Sequence, residues 1–152
     1  MLIIFKNFFL NRLQSNLLYL SSNKEILKEL LIDENDVKQQ LATLVKSAKQ
    51  VFVIDESGKI IFKDFSKLTN QARICALLTG KKFAKKLDLD VEDSLSISEI
   101  GKELEIPATT LSSPMRDLIK RGFVLKNGTK YNITYNRLPE IFSVFFENKK
   151  EQ

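Results

Sequence analysis

The apolar and polar positions of this chain follow the same pattern twice. Residues Glu25–Lys46 slide onto Glu99–Lys120 at an offset of 74 without a gap, and eight of the 22 positions are identical. The matches are Glu25/Glu99, Ile26/Ile100, Lys28/Lys102, Glu29/Glu103, Leu30/Leu104, Ile32/Ile106, Leu44/Leu118 and Lys46/Lys120. Apolar type is also kept where identity is lost: Val37 stands over Leu111, Leu41 over Met115 and Val45 over Ile119. A repeat of this kind sets the architecture, and two copies are too few for a solenoid, so the pattern predicts two small domains built alike.

Local signals place the elements. In the second copy, residues 70–87 carry Ile74, Leu77, Leu78 and Ala84 at helical spacing. An acidic connector, Asp88–Ser96, follows. Ser96 or Ser98 caps a short helix to about Glu105, with Glu99 in the first turn, where the helix dipole favours an acid. Ile106-Pro107 ends it. Thr109 or Thr110 opens a third helix to about Arg121, a start that leaves Pro114 near the first turn, where proline is tolerated. Gly122 closes that helix. Two strand-like runs, 123–125 and 131–134, flank Asn127-Gly128, a strong hairpin signal. The first copy repeats this order. It has helices over residues 3–20, 24–31 and 36–48, then a hairpin of 51–54 and 59–62 around Asp55-Glu56-Ser57-Gly58. Pro139 opens a last, Phe-rich helix.

Helix, helix, turn, helix, hairpin resembles a winged helix-turn-helix domain. The string Ser96–Gly128, SISEIGKELEIPATTLSSPMRDLIKRGFVLKNG, carries the resemblance. It is similar to the core of many bacterial and archaeal transcription regulators. The resemblance implies a mainly α fold with small β-hairpin wings (α+β) in two tandem winged-helix domains. Residues 1–66 are the first, expected to serve packing or dimerisation. Residues 67–152 are the second, with the C-terminal helix, and are expected to bind DNA.

Composition narrows the chemistry. The 152 residues include no His, no Trp and a single Cys, Cys75. Histidine-based acid–base catalysis, Ser-His-Asp and Cys-His nucleophiles and nearly all zinc sites are thereby excluded. An internal disulfide is impossible, which fits a reducing cytoplasm. Cys75 sits among Ile74, Ala76, Leu77 and Leu78 and reads as a core thiol. Phosphate-loop, dinucleotide and metalloprotease motifs are absent, so no catalytic residue, metal or cofactor is expected. Leu2, Phe5, Phe9, Leu13 and Leu17 recur at helical steps and read as an amphipathic helix; its apolar runs are too short to span a bilayer.

Net charge is +5, and its distribution is uneven. Residues 116–137 hold Arg116, Lys120, Arg121, Lys126, Lys130 and Arg137 against one acid, Asp117, and Lys81, Lys82, Lys85 and Lys86 form a second basic cluster. The acids Asp88, Asp90, Glu92, Asp93, Glu99, Glu103 and Glu105 are gathered between them. One-sided charge of this kind matches a footprint on a phosphate backbone. Helix-turn-helix geometry puts the third helix in the major groove. The expected double-stranded DNA contacts are therefore Thr109, Thr110, Ser112, Ser113, Arg116, Lys120, Arg121, Lys126 and Lys130. Arg116 has the fork that reads guanine. In the first copy, Asp33, Glu34 and Asp36 at the third helix and Asp55 and Glu56 at the hairpin tip would repel phosphate. The chain thus reads as one DNA reader and one scaffold, with a homodimer through its N-terminal and Phe-rich C-terminal helices. The alternative is a protein–protein adaptor, a role tandem winged helices take in ESCRT-II subunits and in segregation- and polymerase-associated subunits.

Overall fold

The computed structural model describes residues 7, 10–15, 23–31 and 34–147. Its elements run α1 (Glu34–Ala48), β1 (Phe52–Ile54), β2 (Ile60–Phe62), α2 (Asn70–Lys86), β3 (Leu95–Ser96), α3 (Ile97–Leu104), α4 (Ala108–Lys120), β4 (Val124–Asn127), β5 (Lys130–Ile133) and α5 (Leu138–Phe145). Among the described residues the chain is mainly helical with two small antiparallel sheets, β1-β2 and β3-β5-β4, an α+β composition. It divides into two units, residues 1–39 and 40–152.

In the first unit, residues 10–15 and 23–28 are helical. Lys28 pairs with Glu25 at 2.8 Å. The helix expected over residues 3–20 lies mostly outside the described residues, as do Leu2, Phe5, Phe9, Leu17 and Asp33. The apolar side chains that are described there, including Leu10, Leu13, Leu27 and Leu31, are exposed. The repeat therefore has two different outcomes. Ile100, Leu104 and Met115 are 0%, 3% and 2% exposed, whereas their counterparts Ile26, Leu30 and Leu41 are 60%, 79% and 36% exposed.

The second unit holds the core. The central helix α2 is capped by Thr69, whose hydroxyl accepts from the Ala72 N–H at 3.2 Å. It buries Ile74, Cys75, Leu77 and Leu78 almost completely. Burial pushes the Cys75 thiol up to about 12, against the pull of Arg121, so it stays a protonated apolar filler. Ile100, Leu111, Met115, Leu118, Phe123, Ile133 and Ile141 belong to the same cluster, as do Phe52 and Ile60 of the first hairpin. Between that hairpin and α2, the Arg73 guanidinium donates to the Phe65 carbonyl at 3.0 and 3.2 Å and stacks over the Phe65 ring, clamping the connection. In α5, Leu138, Ile141 and Phe142 are buried, as is Phe146 just past its end, while Val144 is exposed.

Helix α3 begins in a reciprocal capping box. Ser96 Oγ accepts from the Glu99 N–H at 3.2 Å, and Glu99 Oε2 accepts from the Ser96 N–H at 2.7 Å. The hydrogen bond from the Ser96 N–H, then that from the Ser96 hydroxyl, holds the Glu99 carboxyl below its ordinary value. A depressed carboxyl stabilises the fold above its unfolded pKa and loses that contribution as pH falls through the folded value. Ser96→Ala is expected to cost about 1 kcal/mol at neutral pH. Because the backbone N–H at position 96 remains, it should also move the Glu99 pKa only part of the way up and partly flatten the acid limb of stability. Urea titration and carboxyl NMR across the acid range check both.

The connector Asp88–Ser96 is more structured than expected. Its end is β3, which pairs with β5 through Leu95↔Tyr131 and Ser96↔Lys130. The two-residue run is too short to show alternation, so only the pairing reveals it. The turn between α3 and α4 is tight. Glu105 adopts a left-handed φ of 56°, and a Cβ on Gly101 would lie 2.8 Å from the Ile106 carbonyl oxygen. Gly101→Ala is expected to cost about 1–3 kcal/mol by forcing that backbone outward. Thermal melts beside the wild type measure it, and an unchanged midpoint would refute the close approach.

Candidate nucleic-acid interface

Helix α4 starts at Ala108, earlier than the predicted Thr109 or Thr110. The Pro107 carbonyl already accepts from the N–H groups of Thr110 and Leu111 at 3.0 and 3.3 Å. Pro114 consequently lies in the helix interior. Its missing N–H leaves the Thr110 carbonyl without a helical donor, and exposure of Thr110 lets water replace it. Ser112 Oγ donates to the Ala108 carbonyl at 3.0 Å. At the other end Gly122 adopts φ +72°, with Gly122 N–H to Ile119 carbonyl and Phe123 N–H to Leu118 carbonyl both at 3.0 Å. This pair of bonds closes a Schellman motif. The turn that ends α4 also aims the chain into β4.

The hairpin closes one residue later than Asn127-Gly128. Asn127 is still in β4, paired with Lys130, and the turn is Gly128-Thr129, with Gly128 at φ +63°. Positive φ at the first turn residue suits a II′-type turn. The shift puts Lys126 opposite Tyr131. The Lys126 ammonium stands 5.7 Å from the centre of the Tyr131 ring.

All nine candidate contact residues are exposed. Leu111, Met115 and Leu118 face the core, which turns the row Thr109, Ser112, Arg116, Lys120 outward. Ser112 and Arg116 of that row share a recess with Lys126 and Tyr131, floored by Ile97, Met115 and Ile119. Helix and hairpin thus present two cations and a hydroxyl to one space. Ser113 belongs to a different depression, lined by Thr69, Gln71, Pro114, Asp117, Val144 and Phe145. Thr110 occupies the same row of α4 as Ser113 and Asp117, away from the hairpin. Lys130 begins β5 beside Ser96 and acts electrostatically on Glu99.

Arg121 and Arg137 are tied elsewhere. Arg121 lies over the rings of Phe123 and Phe145, at 4.7 and 5.5 Å. Arg137 stacks over Phe123 at 4.8 Å, donates to the Arg121 carbonyl and pairs with Glu140 at 2.6 Å. Both serve the C-terminal end of α4, where a guanidinium suits the free carbonyls and the dipole.

The second basic cluster is not a free footprint. Lys81 pairs with Glu103 at 3.0 Å and Lys82 with Asp93 at 3.1 Å; Lys85 lies 3.7 Å from both Glu92 and Asp93. Lys86 sits over the Tyr135 ring. Partial burial pushes the Asp93 carboxyl up, but the hydrogen bond and charge of Lys82, with Lys85, outweigh it and hold it below the ordinary range. Acids and bases separated along the sequence are folded onto each other here. Arg116, Lys120, Lys126 and Lys130 form no ion pair among the described residues.

In the first hairpin, Asp55 is engaged rather than simply displayed. Its Oδ1 accepts from Ser57 Oγ at 2.6 Å and from the Ser57 and Lys59 N–H groups at 2.9 Å. The hydrogen bond from the Ser57 hydroxyl, then that from Lys59, holds its carboxyl below the ordinary value. Sequence reasoning missed Tyr131 and Ile97 as parts of the recess. The alternation of Tyr131 with Ile133 was a signal for the former, but using it required the correct turn.

Among the described residues, no group of His, Cys, Asp and Glu is arranged to hold a metal ion, and no helix is long and apolar enough to cross a membrane. No protein-family model, curated protein or solved structure matches the chain.

Proposed function

We propose that this chain is a non-enzymatic binder of double-stranded DNA, a small regulator whose second copy is a winged helix and whose first copy is a scaffold on the same plan. One observation carries the reading: Ser112 and Arg116 on the outer face of α4 converge with Lys126 of the hairpin, while Lys81, Lys82 and Lys85 of α2 are taken up by internal acids. The helix α4 fits the width of a major groove. Arg116 is the residue to read a base edge. Lys120, Lys126 and Lys130 are the residues to hold phosphates, and Thr109 and Ser112 permit close approach. The step from this fold to regulation is analogy. The test is binding of the full chain to mixed-sequence duplex DNA over a salt series, beside an Arg116→Ala/Lys126→Ala variant. Absence of binding at low salt, or an unaffected variant, would overturn the reading.

Exposure of Val37, Leu41 and Val45 at four-residue steps along α1 favours a second reading, a protein–protein adaptor or a homodimer. Light scattering at rising concentration separates the two: a monomer throughout counts against self-association through this stripe.

A further inference from the structure

Lys81 is the one charged residue in the buried set of the described residues. An ammonium in that position needs partners, because burial of an unpaired charge is strongly unfavourable. It has two, on different elements. Nζ lies 3.0 Å from Glu103 Oε1 in the last turn of α3 and 3.4 Å from the Gly58 carbonyl oxygen in the β1–β2 turn. The hairpin is pressed close at the same level. A Cβ on neighbouring Gly80 would come within 2.6 Å of Ile60 Cδ1 and 3.2 Å of Phe52 Cε2. Gly58, at φ +83°, lies so near Val91 that a Cβ there would clash with Val91 Cγ1.

Stability alone does not call for this arrangement, since well-packed apolar residues often replace a buried ion pair without loss. What a lysine with two fixed acceptors adds is direction. Glu103 precedes Leu104 and the left-handed Glu105, where the chain turns into α4. We propose that Lys81 is a positioning residue: through Glu103 and the Gly58 carbonyl it references the last turn of α3, and the entry into α4, to the β1–β2 hairpin. The hairpin of the first copy is then part of the foundation of the second copy's reading helix. A disturbance of the hairpin reaches α4 through one side chain. The proposal rests on the DNA-binding reading above.

The experiment uses the full chain with Lys81→Met, Glu103→Gln and the double variant, all confirmed folded by circular dichroism at low temperature. Each single variant is expected to weaken duplex binding about tenfold. The salt slope should stay that of the wild type, because no phosphate contact is removed. The double variant should be no weaker than the worse single one, because both remove the same link. Hydrogen exchange provides an arm independent of DNA: amides of the β1–β2 turn and of the α3–α4 turn should exchange faster together in both single variants. Unchanged affinity in a chain that still binds, a changed salt slope, or faster exchange at only one of the two turns would overturn the proposal. If the wild type binds no duplex DNA, the functional reading falls, and the exchange result still decides the role of Lys81. Should Lys81→Met fail to fold, Glu103→Gln, at a partly exposed carboxylate, carries both measurements.

Discussion

Raising the salt from 50 to 200 mM is expected to weaken duplex binding about 40-fold, the loss for three phosphate contacts at a slope of roughly −2.7. The three are Lys120, Lys126 and Lys130, exposed cations on α4 and the hairpin that, like Arg116, lack internal ion pairs among the described residues. Arg116→Ala with Lys126→Ala should lower the slope to about −1.8, the value for the two remaining phosphate contacts. Loss of Arg116, the residue assigned to a base edge, should also flatten preference among duplexes by about 1–3 kcal/mol at one position. Lys82→Ala with Lys85→Ala is the internal comparison. Those side chains are engaged by Glu92 and Asp93, so the slope should hardly move. A larger effect from the α2 lysines than from Arg116 and Lys126 would place the interface on another face. Fluorescence anisotropy at several salt concentrations measures all of these slopes.

The largest effect on stability is expected at Phe123. Its side chain is 1% exposed, meets the Phe145 ring edge-on at 6.1 Å and lies beneath the guanidinium groups of Arg121 and Arg137. Its backbone closes α4 through Leu118 and opens the hairpin by accepting from the Thr134 N–H at 2.9 Å. Truncation to alanine leaves a ring-sized cavity where α4, the hairpin and α5 meet. The cost is about 3–5 kcal/mol, against a typical total of roughly 5–15 kcal/mol for a folded domain. Urea unfolding of Phe123→Ala should show a large fall in midpoint, with Phe123→Leu recovering most of it. A loss below about 1 kcal/mol would show that Phe123 is not the junction.

Much of the second unit was legible because its signals are local. The Ser96–Glu99 capping box, the break at Pro107, the stop at Gly122 and the helical spacing of Leu111, Met115 and Leu118 each depend on a few neighbouring residues. Other features were not legible. Ala108 starts α4 because the Pro107 carbonyl can accept, and a proline farther along is tolerated where the freed carbonyl meets water. The hairpin turn moved by one residue, and with it the partner of Lys126. Strand β3 exists only through its pairing with β5. Charge was the least legible property: Lys81 and Glu103 are 22 positions apart in sequence yet 3.0 Å apart in space.

The repeat shows the same division. Its two copies carry one apolar skeleton at an offset of 74 residues, and that periodicity by itself determined which residues are able to form helices and which faces are apolar. Helix-forming preference and amphipathic spacing are short-range properties, readable along the chain. Burial and ion pairing need a second surface. Ile100 and Leu104 are covered and Ile26 and Leu30 are exposed, although the pattern around them is the same. Likewise, Lys81, Lys82 and Lys85 of α2 and the cations of α4 and the β4–β5 hairpin look alike in sequence. Only the tertiary structure decided that the first meet carboxylates and the second face solvent, because Coulomb attraction and desolvation act over distances in space rather than along the chain.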